Sequence, residues 1–309
     1  MSVMKPYQIG IDLGGTKTET ILFDPAGDLM HRTRVPTPRN DDTAKNYLAI
    51  LDTVQELILD TAKRIPCAGK YTIGVGIPGT INRETHLVQN ANTTSLKDRP
   101  FKADLEKRLN GKISMENDAN CFTLAESIAG SAKGYGIVLG IIMGTGCGGG
   151  ICVHGKIHTG SQNIAGEIGH FSIDPKGARC WCGNRGCIET KLSGTGVENM
   201  FYKKFNQRRK MTDIVQGYRN NDLSCLDIFD QFLDDFGRCI GGLISILDPD
   251  IIILGGGLSN IEELYSQGAE RVIRYAFHKH VQTPILKNTL GDSAGVYGAA
   301  WIGTGEHVA

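Results

Sequence analysis

Two short stretches of this chain follow one pattern. Ile9-Gly-Ile-Asp-Leu-Gly-Gly-Thr16 and Leu139-Gly-Ile-Ile-Met-Gly-Thr-Gly146 each run an apolar strand into a glycine–threonine turn, from which a second strand returns. They lie about 130 residues apart in a chain of 309, a length that suits one large or two ordinary domains. Two similar halves facing each other across a cleft are therefore expected. Glycine supports a turn-rich design: 40 of 309 residues is about 13%, against an average of about 7%. Ten prolines and no G-X-Y period exclude collagen, so the excess belongs at tight backbone turns.

Composition excludes several classes. Hydrophobic residues make up 40% and charged residues 21%, enough core to rule out wholesale disorder. The 33 basic and 33 acidic side chains cancel, so no nucleic-acid partner is expected from charge. No apolar run approaches the roughly 20 residues that span a bilayer, and Lys5, Pro6, Gln8 and Asp12 break any leader-like opening. With nine cysteines, an odd number, a reduced cytoplasmic protein is the simplest reading. The sequon Asn92-Thr93-Thr94 then carries no weight.

Strands are expected at Tyr7–Leu13, Thr18–Phe23, Leu29–Val35, Tyr71–Ile77, Lys112–Met115, Ile137–Met143, from Ile151, and at Ile251–Leu254. Helices are expected over Thr43–Ala62, with Leu48, Leu51, Val54, Leu57 and Ile58 at helical spacing, and over Ala119–Ala129. A long one carries Leu226, Phe229, Leu233, Phe236, Ile240, Leu243 and Leu247 on one face. Two more follow, through Ile261–Phe277 and near Val296–Ile302. Alternating strands and helices indicate an α/β fold.

In Asp12-Leu-Gly-Gly-Thr-Lys17 the glycines let backbone N–H groups approach an anion, and Thr16 and Lys17 add a hydroxyl and a charge. Asp12 stands where it could hold Mg²⁺, directly or through water. The spacing is not that of a Walker A loop, and the strand that follows argues against a dinucleotide fingerprint. The competing explanation is an ordinary glycine hairpin. A second such loop, Gly144–Gly150, and Gly255-Gly256-Gly257 after a buried strand favour phosphate binding.

His170, Cys180, Cys182 and Cys187 lie within eighteen residues. Three thiolates and an imidazole match a closed tetrahedral Zn²⁺ site, structural rather than catalytic; the alternative is a set of buried free thiols. The remaining cysteines, Cys67, Cys121, Cys147, Cys152, Cys225 and Cys239, read as small core residues. In Glu116-Asn-Asp-Ala-Asn120, Asp118 is either a helix N-cap or a general base. Glu167 and Glu189 bracket the metal cluster, either as acceptors for sugar hydroxyls or as solvated surface charges.

Taken in order, Asp12-Leu-Gly-Gly-Thr-Lys17, Gly76-Ile-Pro-Gly79, Asn117-Asp-Ala-Asn-Cys121, Gly144-Thr-Gly-Cys-Gly148, Gly166-Glu-Ile-Gly-His170 and Cys180-Trp-Cys-Gly-Asn-Arg-Gly-Cys-Ile-Glu189 resemble the ROK family of sugar kinases and sugar-responsive repressors. The resemblance implies an actin-like ATPase (ribonuclease H-like) fold with two α/β domains around a cleft. The expected division is 1–118, completed by a C-terminal helix at 293–305, and 119–292 with the zinc loop. It further implies ATP-dependent phosphorylation of a hexose 6-hydroxyl by a homodimer, with Mg²⁺ accompanying ATP and Asp118 as the base. Gly79, Asn92, Asn117, Asp118, Glu167, His170 and Glu189 would contact the sugar, with His170 also on zinc. Gly10, Ile11, Asp12, Leu13, Gly14, Gly15, Thr16 and Lys17 would surround the phosphates. So would Gly144, Thr145, Gly146, Cys147, Gly148, Gly149 and Gly150, while Gly255 and Gly256 would lie against adenosine.

Val88–Leu96, Cys147 and Ile188-Glu-Thr190 look most like the bacterial fructokinase/mannokinase branch, so D-fructose is the expected acceptor, with mannose and glucose beside it. N-acetyl-D-glucosamine is the alternative. A different class is a sugar-responsive regulator or non-catalytic sensor. The regulator would need several tens of residues for a helix-turn-helix ahead of the first glycine loop, and the unbroken Asp118 and loop motifs disfavour the sensor.

Overall fold

In the computed structural model, which describes residues 5–66, 69–278 and 280–308, the opening run forms strand β1 (Tyr7–Leu13) with Ile9, Ile11 and Leu13 buried. β2 (Lys17–Phe23) and β3 (Leu29–Pro36) follow, then α1 (Thr43–Ala62), β4 (Tyr71–Ile77), the short pair β5 (Thr80–Ile81) and β6 (Val88–Gln89), α2 (Phe101–Leu109), β7 (Ser114–Asn117) and α3 (Asp118–Ala129). The first sheet has the order β3-β2-β1-β4-β7. β1 is antiparallel to β2 and parallel to β4, which is parallel to β7. Asp42 starts α1 by accepting the Ala44 and Lys45 amides. That helix buries Tyr47, Ile50, Leu51, Val54, Leu57 and Ile58, whereas Leu48, expected on this face, is 50% exposed.

The chain continues through β8 (Ile137–Met143), β9 (Cys147–Val153), β10 (Lys156–Ile157), α4 (Glu189–Leu192), α5 (Gly194–Phe205), α6 (Met211–Arg219), α7 (Leu223–Leu247), β11 (Ile251–Gly255), α8 (Gln267–Tyr275), β12 (Ile285–Lys287) and α9 (Ala294–Ile302). In the second sheet β8 is antiparallel to β9 and parallel to β11, itself parallel to β12. The order β9-β8-β11-β12 therefore repeats β2-β1-β4-β7, so the paired sequence motifs open two copies of one topology.

The chain forms two compact units. The first holds Met1–Ala125, Gly155–Ala165 and Asp292–Ala309; the second holds Glu126–His154 and Gly166–Gly291. The limit falls inside α3 rather than at residue 118, and the excursion 155–165 belongs with the first unit. Its strand is joined there by the Ile157 amide donating to the His307 carbonyl (2.8 Å). Cys121, Cys147, Cys152, Cys225 and Cys239 are buried; Cys67 lies outside the described residues. Among the described residues no helix is long and apolar enough to cross a membrane.

Three expected elements differ. The strand expected at Lys112–Met115 lies instead at Ser114–Asn117, in register with Gly74–Ile77 of β4. Strand β9 begins at Cys147, not Ile151, because Gly148, Gly149 and Gly150 pair with Ile142, Ile141 and Gly140 in the ladder. The expected helix Ile261–Phe277 is broken: 3-10 turns at Gly257–Asn260 and Glu262–Leu264 precede α8. Ile261 is extended between those turns, and the Tyr265 hydroxyl donates to Ser259 O (2.7 Å), which folds the segment back on itself.

In the first unit α9 packs backbone to backbone on the sheet. A Cβ on Gly74 of β4 would stand 1.8 Å from Ala299 O, and one on Gly298 1.8 Å from Cys121 O. We expect Gly298→Ala to lower stability by about 1–3 kcal/mol or more, since the contact is backbone and cannot rotate away. Gly242→Ala, in the interior of α7 with open space around its Cβ position, is expected to stabilise by roughly 0.5–1 kcal/mol. Urea denaturation of the two variants checks both signs.

Candidate active site

The carboxyl ends of parallel strands are where an open α/β sheet presents ligands. In the first unit these ends bring together Asp12 on β1, Gly76 and Gly79 at and beyond the end of β4, and Asn117 and Asp118 at and beyond the end of β7. Asp12 is in register with Gly76, and Ile77 with Asn117. The Asp12 carboxylate also faces the first turn of α9, where Oδ2 lies 2.9 Å from the Cβ position of Gly295. Burial pushes the Asp12 carboxyl up to about 7, with Asp118 and Glu19 adding to the rise and Lys17 and Arg34 opposing it. A carboxylate so short of positive charge suits a divalent cation. Glu19 is 1% exposed and accepts from Arg32 and Arg34 (Arg34 Nη2, 2.6 Å).

The N-cap of α3 is Asn117, not Asp118. Asn117 Oδ1 accepts the Ala119 and Asn120 amides (2.9 and 3.3 Å), and its Nδ2 donates to Gly79 O (3.2 Å). Gly79 has φ +104°, and a Cβ there would stand 2.9 Å from Ala91 Cα, so only glycine fits. Asp118 Oδ1 accepts the Ala119 amide (2.8 Å). Burial raises its carboxyl to about 6, against the lowering effect of that amide. Asn92 is exposed, one residue beyond the Ala91 that packs on Gly79, with its Oδ1 3.5 Å from Thr93 Oγ1.

Not all of the first glycine motif reaches the turn. Ile11 and Leu13 are core residues, and a Cβ on Gly10 would meet Val296 O at 2.4 Å, so this glycine serves α9. Gly14, Gly15 and Thr16 form the turn, and Lys17 pairs with Asp292 (3.3 Å) across exposed surface.

In the second unit the turn is Gly144-Thr145-Gly146, while Cys147–Gly150 lie in β9. Gly255 closes β11 beside Ile142, and Gly256, at φ +76°, approaches Met143 O so closely that a Cβ would stand at 2.4 Å. The two glycine segments therefore meet at the carboxyl ends of β8 and β11.

The ligand atoms of His170, Cys180, Cys182 and Cys187 lie within 4.8 Å of one another. Cys180 Sγ is 3.6 Å from His170 Nδ1, and Cys182 Sγ is 3.6 Å from Cys187 Sγ. A tetrahedron with Zn–S about 2.3 Å and Zn–N about 2.0–2.1 Å has S···S and S···N edges of about 3.8 and 3.5 Å, so the donor set fits Zn²⁺. Burial, then the neighbouring thiols, pushes Cys187 up to about 12, a proton demand that a dication would reverse. Glycines build the loop's seat: a Cβ on Gly169 would stand 1.9 Å from Cys147 O. Glu167 immediately precedes the 3-10 turn Ile168–His170, and its carbonyl accepts the His170 amide (3.2 Å).

Glu189 is not a solvated surface charge. Oε1 accepts from Trp181 Nε1 (2.7 Å) and Oε2 from the Cys147 amide (3.0 Å). The Trp181 ring stands edge-on to the His170 ring, with centroids 4.8 Å apart at 90°. Trp181 was not among the expected site residues. Its signal in the sequence is an indole donor set between two candidate ligands, directly after Cys180 and before Cys182, and eight residues before the acidic residue it reaches.

The ROK family model matches residues 8–306. The chain is 36% identical over 303 residues to N-acetyl-D-glucosamine kinase of Escherichia coli O127:H6, covering 95% of this chain and 98% of that one. Among solved structures it resembles a ROK hexokinase from Thermus thermophilus (TM-score 0.85, 27% identity, 97% and 98% of the two chains). It also resembles a ROK glucokinase from Streptomyces griseus, solved with glucose and AMPPNP (TM-score 0.79, 25% identity, 97% and 99%).

Raised carboxyls make a testable stability pattern. The unfolded chain gives up these protons near 3.8, whereas the folded protein holds them to about 7 at Asp12 and about 6 at Asp118. Their ionisation therefore costs folding energy that is absent below pH 4, grows between 4 and 7, and is complete above 7. Asp12→Asn and Asp118→Asn should each raise Tm by a few degrees at pH 8 and leave it unchanged near pH 4. Thermal unfolding showing the same offset at both pH values would refute the raised carboxyls.

Proposed function

This chain belongs to the ROK family and is an ATP-dependent sugar kinase, and we propose that its acceptor is N-acetyl-D-glucosamine, phosphorylated on the 6-hydroxyl. The observation that carries the acceptor is 36% identity to an N-acetyl-D-glucosamine kinase over almost the whole of both chains. Of the residues that suggested the fructokinase branch, Val88, Ala91, Leu96, Cys147 and Ile188 are buried, whereas Asn90, Asn92 and Thr94 are exposed, so these stretches do not by themselves select fructose.

In this reading Asp118 takes the proton of the attacking hydroxyl. A carboxyl near 6 is mostly ionised at neutral pH yet more basic than an ordinary aspartate, which suits a general base. Asn117 holds the backbone on both sides of it, through the α3 amides and Gly79 O. On the family's pattern we assign Gly79, Asn92, Asn117 and Asp118 of the first unit to the sugar, and Glu167, His170 and Glu189 of the second. Gly14–Lys17 and Gly144–Gly146 are assigned to the phosphates and Gly255–Gly256 to adenosine. Mg²⁺, when bound with the nucleotide, supplies charge neutralisation at the phosphates, and Asp12 would hold it. His170, Cys180, Cys182 and Cys187 would hold Zn²⁺ as a structural ion. The family's pattern also makes the working enzyme a cytoplasmic homodimer.

Coupled ADP release with Mg·ATP against N-acetylglucosamine, N-acetylmannosamine, glucose, mannose and fructose tests the acceptor. The highest kcat/KM is expected with N-acetylglucosamine; preference for fructose would return the first expectation, and silence on all five would favour a sensor. Asp118→Asn should lower kcat by about 10²–10⁴-fold with sugar affinity retained. The acid limb of kcat/KM should fall near pH 6. Chelation of the metal should weaken sugar binding and shift Trp181 emission, measured in a Trp301→Phe background that leaves Trp181 as the one indole.

A further inference from the structure

The turn Gly14-Gly15-Thr16 is held from behind by a segment that no motif marks. The Thr37 hydroxyl donates to Gly14 O (2.7 Å), the Thr37 amide donates to Thr16 O (3.0 Å), and Arg39 Nη2 donates to Gly15 O (3.1 Å). Three successive carbonyls of the turn are thus taken by residues 37–39. Thr37 has one hydroxyl proton, and it is spent on Gly14, so Thr18 Oγ1 donates to Thr37 Oγ1 across their 2.9 Å contact. Thr37 is 6% exposed and Thr18 fully buried, which makes the chain from Thr18 through Thr37 to Gly14 a dry one.

In an extended strand successive carbonyls alternate in direction. Capture of three in a row by one short segment means that the backbone here is curled. No described peptide bond is cis, so each N–H points opposite to the carbonyl of its own peptide unit. The Gly15 and Thr16 amides therefore turn away from residues 37–39. Gly15 and Thr16 are exposed, and a Cβ on Gly15 would meet nothing within 4 Å. Amides gathered on one open face form an anion-binding concavity. The second unit's turn is held differently, by the Gly194 amide on Gly144 O (2.8 Å), so the device belongs to the first turn.

We propose that Thr37 and Arg39 are positioning residues for the nucleotide phosphates, fixing the carbonyls of Gly14–Thr16 so that the turn's amides are presented before ATP arrives. The inference rests on the kinase reading. Without the Thr37 hydroxyl, Gly14 O loses its donor and the turn must be ordered by the ligand itself. One hydrogen bond of this kind is worth about tenfold in affinity.

The test uses full-length Thr37→Val, Thr37→Ser and Arg39→Gln, comparing steady-state kinetics with calorimetric binding of a non-hydrolysable Mg·ATP analogue and, separately, of sugar. Thr37→Val should raise both KM for ATP and Kd for the analogue about tenfold, with kcat within about threefold and sugar Kd unchanged. Thr37→Ser should restore wild-type values, and Arg39→Gln should weaken the nucleotide alone. Equal analogue affinity in wild type and Thr37→Val overturns the clamp while leaving the kinase intact. So does a loss shared equally by sugar and nucleotide. No analogue binding by the wild-type protein overturns the kinase reading and the clamp with it. If Thr37→Val does not fold, Arg39→Gln decides by the same split.

Discussion

Direct contact between backbones, possible only where no Cβ intervenes, is the constraint on which both units rest. In the first, Gly74 and Gly298 let α9 settle onto the sheet and onto the start of α3, and this seating also brings the first turn of α9 against the Asp12 carboxylate. In the second, Gly149 and Gly169 admit the segment that carries His170 against β9, so the candidate metal ligands begin from a fixed wall of main chain. The unusual glycine content is thus spent less on turns than the composition alone suggests. Much of it lies inside strands and helices, where it sets distance rather than direction.

The charges follow from that geometry. Parallel strands that end together bring their terminal residues close, and in the first unit two acids stand there, Asp12 near the end of β1 and Asp118 just beyond β7. Asp12 and Asp118 are partly desolvated and repel one another, while the nearby Glu19 is held by two arginines on β3. One carboxylate is thereby neutralised by the protein and two are left wanting a cation or a proton. Such an imbalance is costly for folding and useful for chemistry, the usual mark of a working site. The second copy of the topology has Ile142 where the first has Asp12.

Elements with unbroken periodicity were legible from sequence: α1, β4 and β8 have the bounds their apolar patterns imply. The Cys–His cluster was legible because its four ligands are neighbours in the chain. Legibility failed where spacing has two meanings. The spacing of Ile261, Leu264 and Gly268 fits a helix equally well, yet Ile261 is extended and the segment closes as two 3-10 turns. Gly148–Gly150 read as loop because glycine usually marks one, and their strand pairing depends on what packs across them. Asn117 took the capping role because a side chain one residue ahead of the helix reaches its amides better than Asp118 can. The grip of Thr37 on Gly14 spans 23 positions and uses main-chain acceptors, which leave no trace in side-chain chemistry.

Glu189 joins the metal loop, through Trp181, to the start of β9, through Cys147, and has one hydrogen bond on each oxygen. It is thus a structural keystone as well as a candidate ligand. For anyone retuning the enzyme toward another sugar, such a residue is a poor place to begin, because altering it disturbs the Cys–His loop and the start of β9 together. Asn92 offers the opposite case: exposed, lightly held, and separated from the core by one alanine. On the proposed sugar assignments, Glu189 is a fixed group and Asn92 an adjustable one, and acceptor choice would drift at Asn92 without disturbing the contacts of Glu189.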